Sequence, residues 1–537
     1  MNLGEHQAAV DATLIALENR EVPTRIWHQD HTVWKPDPKE ITDRLGWLTV
    51  TDFMSGQLDR LNAFAKDVKN KGVRHVVLLG MGGSSLGPEV LRGVFGITPG
   101  FPELIILDST VPDWLISITN VIDPAHTLFL VSSKSGDTLE TLAGYRYFRD
   151  LLDKALGRET AGGCFVAITD SGSPLEGIAK QEGFLKVFTN PTTIGGRYSV
   201  LSYFGMVPAA LTGIDVSLLL ARAARFQEII SSKIPIQENS GAWLGAAMAT
   251  LAGIGRDKLT LLTSPTLTNF GLWAEQLIAE SLGKEGRGVI PIVGEPLTTS
   301  NHYGNDRLFV DLRLDGDNAS KAEPAVSVVE QLRAAGNPVI QFSLSDRYDI
   351  GSEFYRWEYA TAVAGAVMEV NPFDQPNVEL SKAKTNEILK AYTGTGEMVP
   401  LESSSSLGDL LNQANPGDYL AILAYMEPTL EVEEALQILR HRIMSHSRIA
   451  TTVGYGPRFL HSTGQLHKGG PSTGLFFQLT TDFPEDINVP GSDYTFGALS
   501  NAQSYGDMQT LEALGRRTAK LHIVENFSGE IGKLLNQ

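Results

Sequence analysis

The rhythm of apolar and polar positions changes near residue 73. Through residues 1–70 apolar side chains recur at helical spacing, with Trp27 and Trp34 near a proline-containing stretch. From Val73 onward, short apolar runs bounded by turn residues alternate with longer amphipathic stretches. The runs 73–79, 104–107, 127–131, 165–168 and 185–188 predict strands with helices between them. Continuous apolar strands of this kind belong to a parallel sheet covered on both faces. A second series starts near Lys258, with strands at 259–262, 289–292, 308–312 and 339–342. Helices around 240–252, 269–282, 324–335 and 354–370 accompany it. Residues 391–418 are turn-rich, include Ser403–Ser406, and read as a linker or surface excursion. Beyond them, runs at 419–425, 449–454 and 475–480 and a helix at 430–444 predict a further α/β layer. There is no short-period repeat, and rhythm alone leaves open whether the two α/β halves share a fold.

A chain of 537 residues suggests about two to four domains with ample core. At 42% hydrophobic and 20% charged it has the composition of an ordinary globular protein. No run of about 18 apolar residues predicts a membrane helix. The early acidic residues and missing apolar h-region argue against a signal peptide. The net charge of -18 disfavours nucleic acid or an anionic membrane as partner. An anionic ligand would therefore need local attraction. The single cysteine, Cys164, cannot form an internal disulfide, which suits a reducing cytoplasm. It stands in an apolar run and is expected in the core.

Five segments carry chemistry. Residues 131–140, V-S-S-K-S-G-D-T-L-E, join a strand to a helix through hydroxyls and one glycine. Backbone N–H groups, hydroxyls and the positive helix end suit a phosphate there. Ser133, Ser135 and Thr138 are the hydroxyls aimed at it. The alternative is plain helix capping, with Asp137 and Glu140 as a capping box. Gly80–Pro88, G-M-G-G-S-S-L-G-P, is a strand-to-helix turn that permits close backbone approach. Asp108 ends the next strand, where a dinucleotide site would want an acid, but the glycine spacing is not the dinucleotide fingerprint. G-G-R-Y-S at 195–199 lets Arg197 project, either as an oxyanion stabiliser or as a surface turn. On the helix containing 273–281, Gln276 and Glu280 are four residues apart and share one face. A partly buried Glu280 would suit general-base work; the plainer reading is a solvated amphipathic face. In N-P-F-D-Q-P-N-V-E-L-S-K, 371–382, Pro376 suits a first helical turn, and Gln375 and Lys382 lie about two turns apart.

In this order, the five segments resemble the phosphoglucose isomerase family over about Val73–Lys382. The resemblance implies an α/β fold of two SIS-type doubly wound parallel-sheet domains. Around them would lie a helical N-terminal segment (1–70) and an additional C-terminal α/β extension (396–537), the two domains spanning 71–235 and 236–395. It implies interconversion of glucose 6-phosphate and fructose 6-phosphate without metal or organic cofactor, usually in a homodimer whose site borrows a residue from the partner. Carried over by residue, Ser133, Ser135 and Thr138 hold the phosphate, with Gly83, Ser84 and Lys134 close by. Glu280 moves a proton between C2 and C1 through a cis-enediolate, and Arg197 stabilises its charge. Gln276 and Gln375 bind sugar hydroxyls, and Lys382 and a histidine assist ring opening. His302, about twenty residues after Glu280, is the expected histidine; the rivals are His461 and His467 in R-F-L-H-S-T-G-Q-L-H-K-G-G. Metal binding by those two lacks further ligands. Asp137 stands where the family usually has Thr. The tail after residue 396 is similar to that of isomerases fused to a transaldolase, although the sequence before Val73 is too short for a transaldolase barrel. Two other readings remain: a sugar-phosphate sensor, which would lack Glu280, Arg197 or Lys382, and an isomerase for mannose 6-phosphate.

Overall fold

The computed structural model describes residues 3–231, 233–317, 328–396, 398, 405–524 and 526–534. Among them, thirteen strands build three sheets in which every pairing is parallel. The first contains β1 (His75–Gly80), β2 (Glu103–Leu107), β3 (Thr127–Ser132), β4 (Phe165–Asp170) and β5 (Lys186–Asn190), in the order β2-β1-β3-β4-β5. The second contains β6 (Lys258–Thr263), β7 (Ile290–Ile292), β8 (Arg307–Leu314) and β9 (Val339–Leu344), in the order β7-β6-β8-β9. The third contains β10 (Tyr419–Tyr425), β11 (Ala450–Tyr455), β12 (Gly474–Thr481) and β13 (Arg517–Ile523), in the order β11-β10-β12-β13. All three wind alike, starting at an inner strand, stepping to one edge, then crossing back. The C-terminal layer is thus a third sheet with the winding of the other two.

Twelve strands follow the apolar runs, because β3, β4 and β10 are buried along their whole length. The thirteenth, β13, is absent from the sequence reading. It is an edge strand, R-T-A-K-L-H-I, with only Ala519 and Ile523 buried, so its pattern is mostly polar.

The N-terminal helices, including Gln7–Asn19 and Val22–Trp27, join the core of the first two sheets. Trp27 stacks on Tyr355 and Tyr359 with centroids 6.5 and 6.0 Å away. The turn-rich stretch is partly ordered. Helix Val378–Thr395 runs into it, and Ser406 closes a capping box on helix Leu407–Leu411. Ser403 and Ser404 lie outside the described residues, as does the start of the helix expected at 324–335, of which 328–334 are helical. Helix Val378–Thr395 packs along helix Phe496–Ala513 of the third layer, with Ser381 donating to Asp507 at 3.3 Å. Cys164 ends a short turn before β4 and is only half-buried at the rim of the core, since Phe165 is the first core residue of that strand. Burial pushes its thiol up.

Candidate active site

The carboxyl ends of β1 and β3 point their loops into a crevice, the usual ligand position in open parallel sheets. After β1, the turn Gly82–Ser84 meets three other segments. A Cβ on Gly83 would lie 2.0 Å from the Gly196 carbonyl oxygen. One on Gly82, whose φ is 53°, would lie 2.8 Å from Gln276 Nε2 and 2.7 Å from the His461 carbonyl oxygen. These glycines let the three sheets' loops touch. The meeting encloses a pocket of about 320 Å³.

The hydroxyl loop after β3 forms one wall. Gly136, at φ 77°, turns the chain and donates its N–H to Ser133 Oγ at 3.0 Å. The Ser133 and Thr138 hydroxyls bond each other at 2.9 Å. Ser84, Lys134, Ser135 and Thr138 line the pocket. Ser133 is buried beneath them and braces the loop rather than facing the pocket. The Lys134 ammonium is engaged by Asp170 and by the Thr192 carbonyl. The expected capping box is not formed. Thr138 stands at the cap of helix Leu139–Leu156 with no side-chain bond to the helix's own N–H groups. Asp137 accepts from Ser135 instead, and Glu140 turns toward His461.

Opposite stand the base candidate and its cation. Helix Phe270–Leu282 is buried almost all round and brings Gln276 and Glu280 to the pocket on one face. Gln276 donates to Glu280 Oε2 at 3.0 Å and to the His461 carbonyl at 2.8 Å. Arg197, 4% exposed, lies with Nε 3.7 Å from Glu280 Oε2. Its Nη2 donates to the Phe373 and Asp374 carbonyls and to Gln375 Oε1 at 2.9, 3.0 and 2.7 Å. Lys382 reaches the mouth and pairs with Glu379 at 2.8 Å.

Two residues here escaped the sequence reading. Lys284, one turn beyond Glu280, donates to the Asn371 and Asp374 carbonyls at 2.7 and 2.6 Å and to Asp374 Oδ1 at 2.6 Å. Burial and the nearby Arg197 push its ammonium down to about 8, against Asp374 and Glu280. It and Arg197 clamp the loop that carries Gln375. Its place four residues after Glu280 was the available signal. Arg44 reaches the pocket from the N-terminal segment, with no signal beyond its charge.

The structure places the three candidate histidines in different surroundings. His302 ends the turn Ser300–His302, bonds Thr298 at 2.7 Å, and does not line the pocket. His467 is buried between Phe459 and Phe476, which pushes its imidazole well below the ordinary range. His461 lines the pocket, with Nε2 2.9 Å from Glu140 Oε1. Burial raises Glu140, but His461, a backbone N–H and Lys382 together outweigh it and the carboxyl is held below the ordinary value. His461 and His467 point to different surroundings and do not converge as ligands. The turn Arg458–His461 is anchored by Arg458 donating to Asp108 at 2.8 and 2.9 Å, while Ser85 donates to the same carboxylate at 3.0 Å. Asp108 is therefore an anchor for that turn. His302 and His461 hold matching places, each ending a short turn between the second and third strands of its sheet. Only the third sheet's turn faces the first sheet's loops, so the residue reached by counting from Glu280 lies away from the pocket.

A hydroxyl cradle facing a carboxylate–arginine pair in doubly wound α/β units defines a sugar-phosphate type of site, and similarity to known proteins agrees. The sequence model of the phosphoglucose isomerase family matches residues 20–286. A probable glucose-6-phosphate isomerase of Methanococcus maripaludis is 30% identical over 403 residues, covering 68% of this chain and 87% of that one. The glucose-6-phosphate isomerase of Rubrobacter xylanophilus is 33% identical over 366 residues, 60% of this chain and 84% of that one. Among solved structures, a hypothetical protein of Thermus thermophilus superposes with a TM-score of 0.60 at 28% identity, covering 71% of this chain and 98% of that one. A glucose-6-phosphate isomerase of Chlamydia trachomatis gives a TM-score of 0.60 at 21% identity, over 72% of this chain and 86% of that one. The chain belongs to the phosphoglucose isomerase family.

Proposed function

We infer that the chain is an aldose–ketose isomerase that interconverts glucose 6-phosphate and fructose 6-phosphate, a reaction of glycolysis and gluconeogenesis. The observation that carries this is the convergence of the hydroxyl cradle, Glu280 with Arg197, and His461 with Glu140 in one pocket. The presence of Glu280, Arg197 and Lys382 around the cradle favours turnover over sensing. The relatives' names favour the glucose over the mannose phosphate.

Ser84, Ser135, Thr138 and the loop N–H groups hold the phosphate, with Ser133 bracing them. His461 gives a proton to the ring oxygen while the proton on O1 passes to solvent water at the mouth, where the Lys382 ammonium steadies the departing charge. Glu280 then removes the C2 proton, the hydroxyl proton of the enediolate passes from O2 to O1, and Glu280 returns its proton to C1 as C2 becomes the carbonyl, with Arg197 balancing the enediolate charge. Gln276 and Gln375 orient the sugar. A positioned base contributes about 10²–10⁴-fold and one oxyanion donor about 10²–10³-fold. Every step is a proton transfer, so no metal or organic cofactor is needed. In this reading residues 71–235 carry the phosphate loop, 236–395 the base and 396–537 the ring-opening histidine. All these groups come from one chain, so a homodimer, if formed, is not needed to complete the pocket. We place the protein in the cytoplasm on its lone cysteine; no helix of the described residues is long and apolar enough to cross a membrane.

The test is a coupled assay of glucose 6-phosphate formed from fructose 6-phosphate. Glu280→Gln should lose about 10²–10⁴-fold in kcat. Unchanged turnover in that variant would overturn the base, and a parent without turnover would overturn the reaction.

A further inference from the structure

The contact between Glu140 and His461 has a third member from a distant helix. Gln503, on helix Phe496–Ala513, is 3% exposed and donates Nε2 to Glu140 Oε1 at 2.7 Å. That oxygen is the one facing His461 Nε2 at 2.9 Å. The other end of the Gln503 amide is fixed as well, because the buried Thr110 hydroxyl donates to Gln503 Oε1 at 2.7 Å. The network decides the amide's orientation: the flipped form would set its carbonyl against the Glu140 carboxylate and leave no donor for it. An N–H aimed at a buried carboxylate stabilises its charged form more than its neutral one.

We propose that Gln503, oriented by Thr110, is a positioning residue that keeps Glu140 ionised and thereby holds His461 in the proton-donating form for ring opening. This rests on the ring-opening reading of His461 above. The titratable groups that face Glu140 are His461, Lys382 and Tyr425. Asp137, Glu379 and Lys468 line the adjoining chamber. Lys468 is already paired with Asp507 at 2.6 Å, and Asp137 takes the Ser135 hydroxyl. Among these groups and Gln503, Gln503 is the neutral donor on the Glu140 carboxylate. It comes from the C-terminal layer, like His461 itself.

The test compares fructose 6-phosphate, which is mostly ring-closed, with erythrose 4-phosphate, which cannot close a ring because its O4 carries the phosphate. Gln503→Met keeps the shape and removes the donor. Its turnover on fructose 6-phosphate should fall about tenfold, and the acid limb of that pH profile should rise by about one unit. Turnover of the open-chain sugar should stay within about twofold. Gln503→Glu should shift the limb further, since two adjacent carboxylates must share a proton. Thr110→Val should act in the same direction and less. Unchanged ring-closed turnover and pH profile in both Gln503 variants would overturn the proposal. So would a parallel fall on both sugars together with Tm, the signature of a merely structural role. His461→Ala is the reference: if it spares the ring-closed sugar, the ring-opening reading itself fails, whatever Gln503 does.

Discussion

Glu275 and Gln276 are neighbours on one helix, yet their surroundings give them different work. Gln276 reaches the pocket, whereas Glu275 is buried on another face and has no hydrogen-bond partner among the described residues. Burial pushes its carboxyl up to about 8, with Arg440 and Arg458 opposing. A folded value above the unfolded one gives a contribution to stability that is full below about 4.3 and lost as pH rises toward 8. Glu275→Gln, neutral at every pH, should therefore gain on the parent between pH 5 and 8, on the order of 3–5 kcal/mol in the limit. Tm measured across that range for both proteins checks this; a constant difference would refute it. His461→Ala should lose turnover of ring-closed sugar and keep that of an open-chain one. His302→Ala removes hydrogen bonds to Thr298 and Thr299, outside the pocket, and should leave both within about twofold. At this scale the site was partly readable. Glu280, Arg197 and Gln276 announce themselves by local motif, whereas His461 and Arg458, which meet Glu140 and Asp108, lie hundreds of residues away.

Strand, turn and helix repeat three times, and the turns carry the site. Strand positions were legible where burial on both faces demands continuous apolar runs, and illegible at β13, whose exposed edge tolerates Arg, Lys and His. The capping pattern at 137–140 was misleading because Glu140 gains more from a buried imidazole and amide than from a helix end. Two glycine substitutions separate turn geometry from general flexibility. Gly83→Ala drives a methyl into the Gly196 carbonyl and should displace Arg197, lowering kcat at least about tenfold. Gly177→Ala, on helix Pro174–Gln181 with nothing within 4 Å, should raise stability by about 0.5–1 kcal/mol and leave activity alone. Equal activities of the two variants would show that the 82–84 turn has slack to yield.

Across the whole molecule, the C-terminal layer is part of the pocket. It brings His461, anchored through Arg458 to Asp108 of the first sheet, and it holds the Lys382 helix through Asp507. A pocket complete in one chain predicts the same turnover per chain from micromolar down to nanomolar protein. Activity followed on dilution alongside sedimentation checks it; a fall that tracks dissociation would mean that a partner supplies a group. By itself the sequence determined what short-range physics controls: apolar runs that must be strands, glycines that must be turns, a hydroxyl loop before a helix, and Gln276 and Glu280 on one face. Only the tertiary structure decided which of two matching turns brings a histidine to the pocket wall, that Lys134 is taken by Asp170, and that Ser133 braces rather than faces the pocket. Those outcomes depend on which loops of three similarly wound sheets come together. Residue spacing does not encode that meeting, because it is settled by packing between segments as far apart as Glu140 and His461.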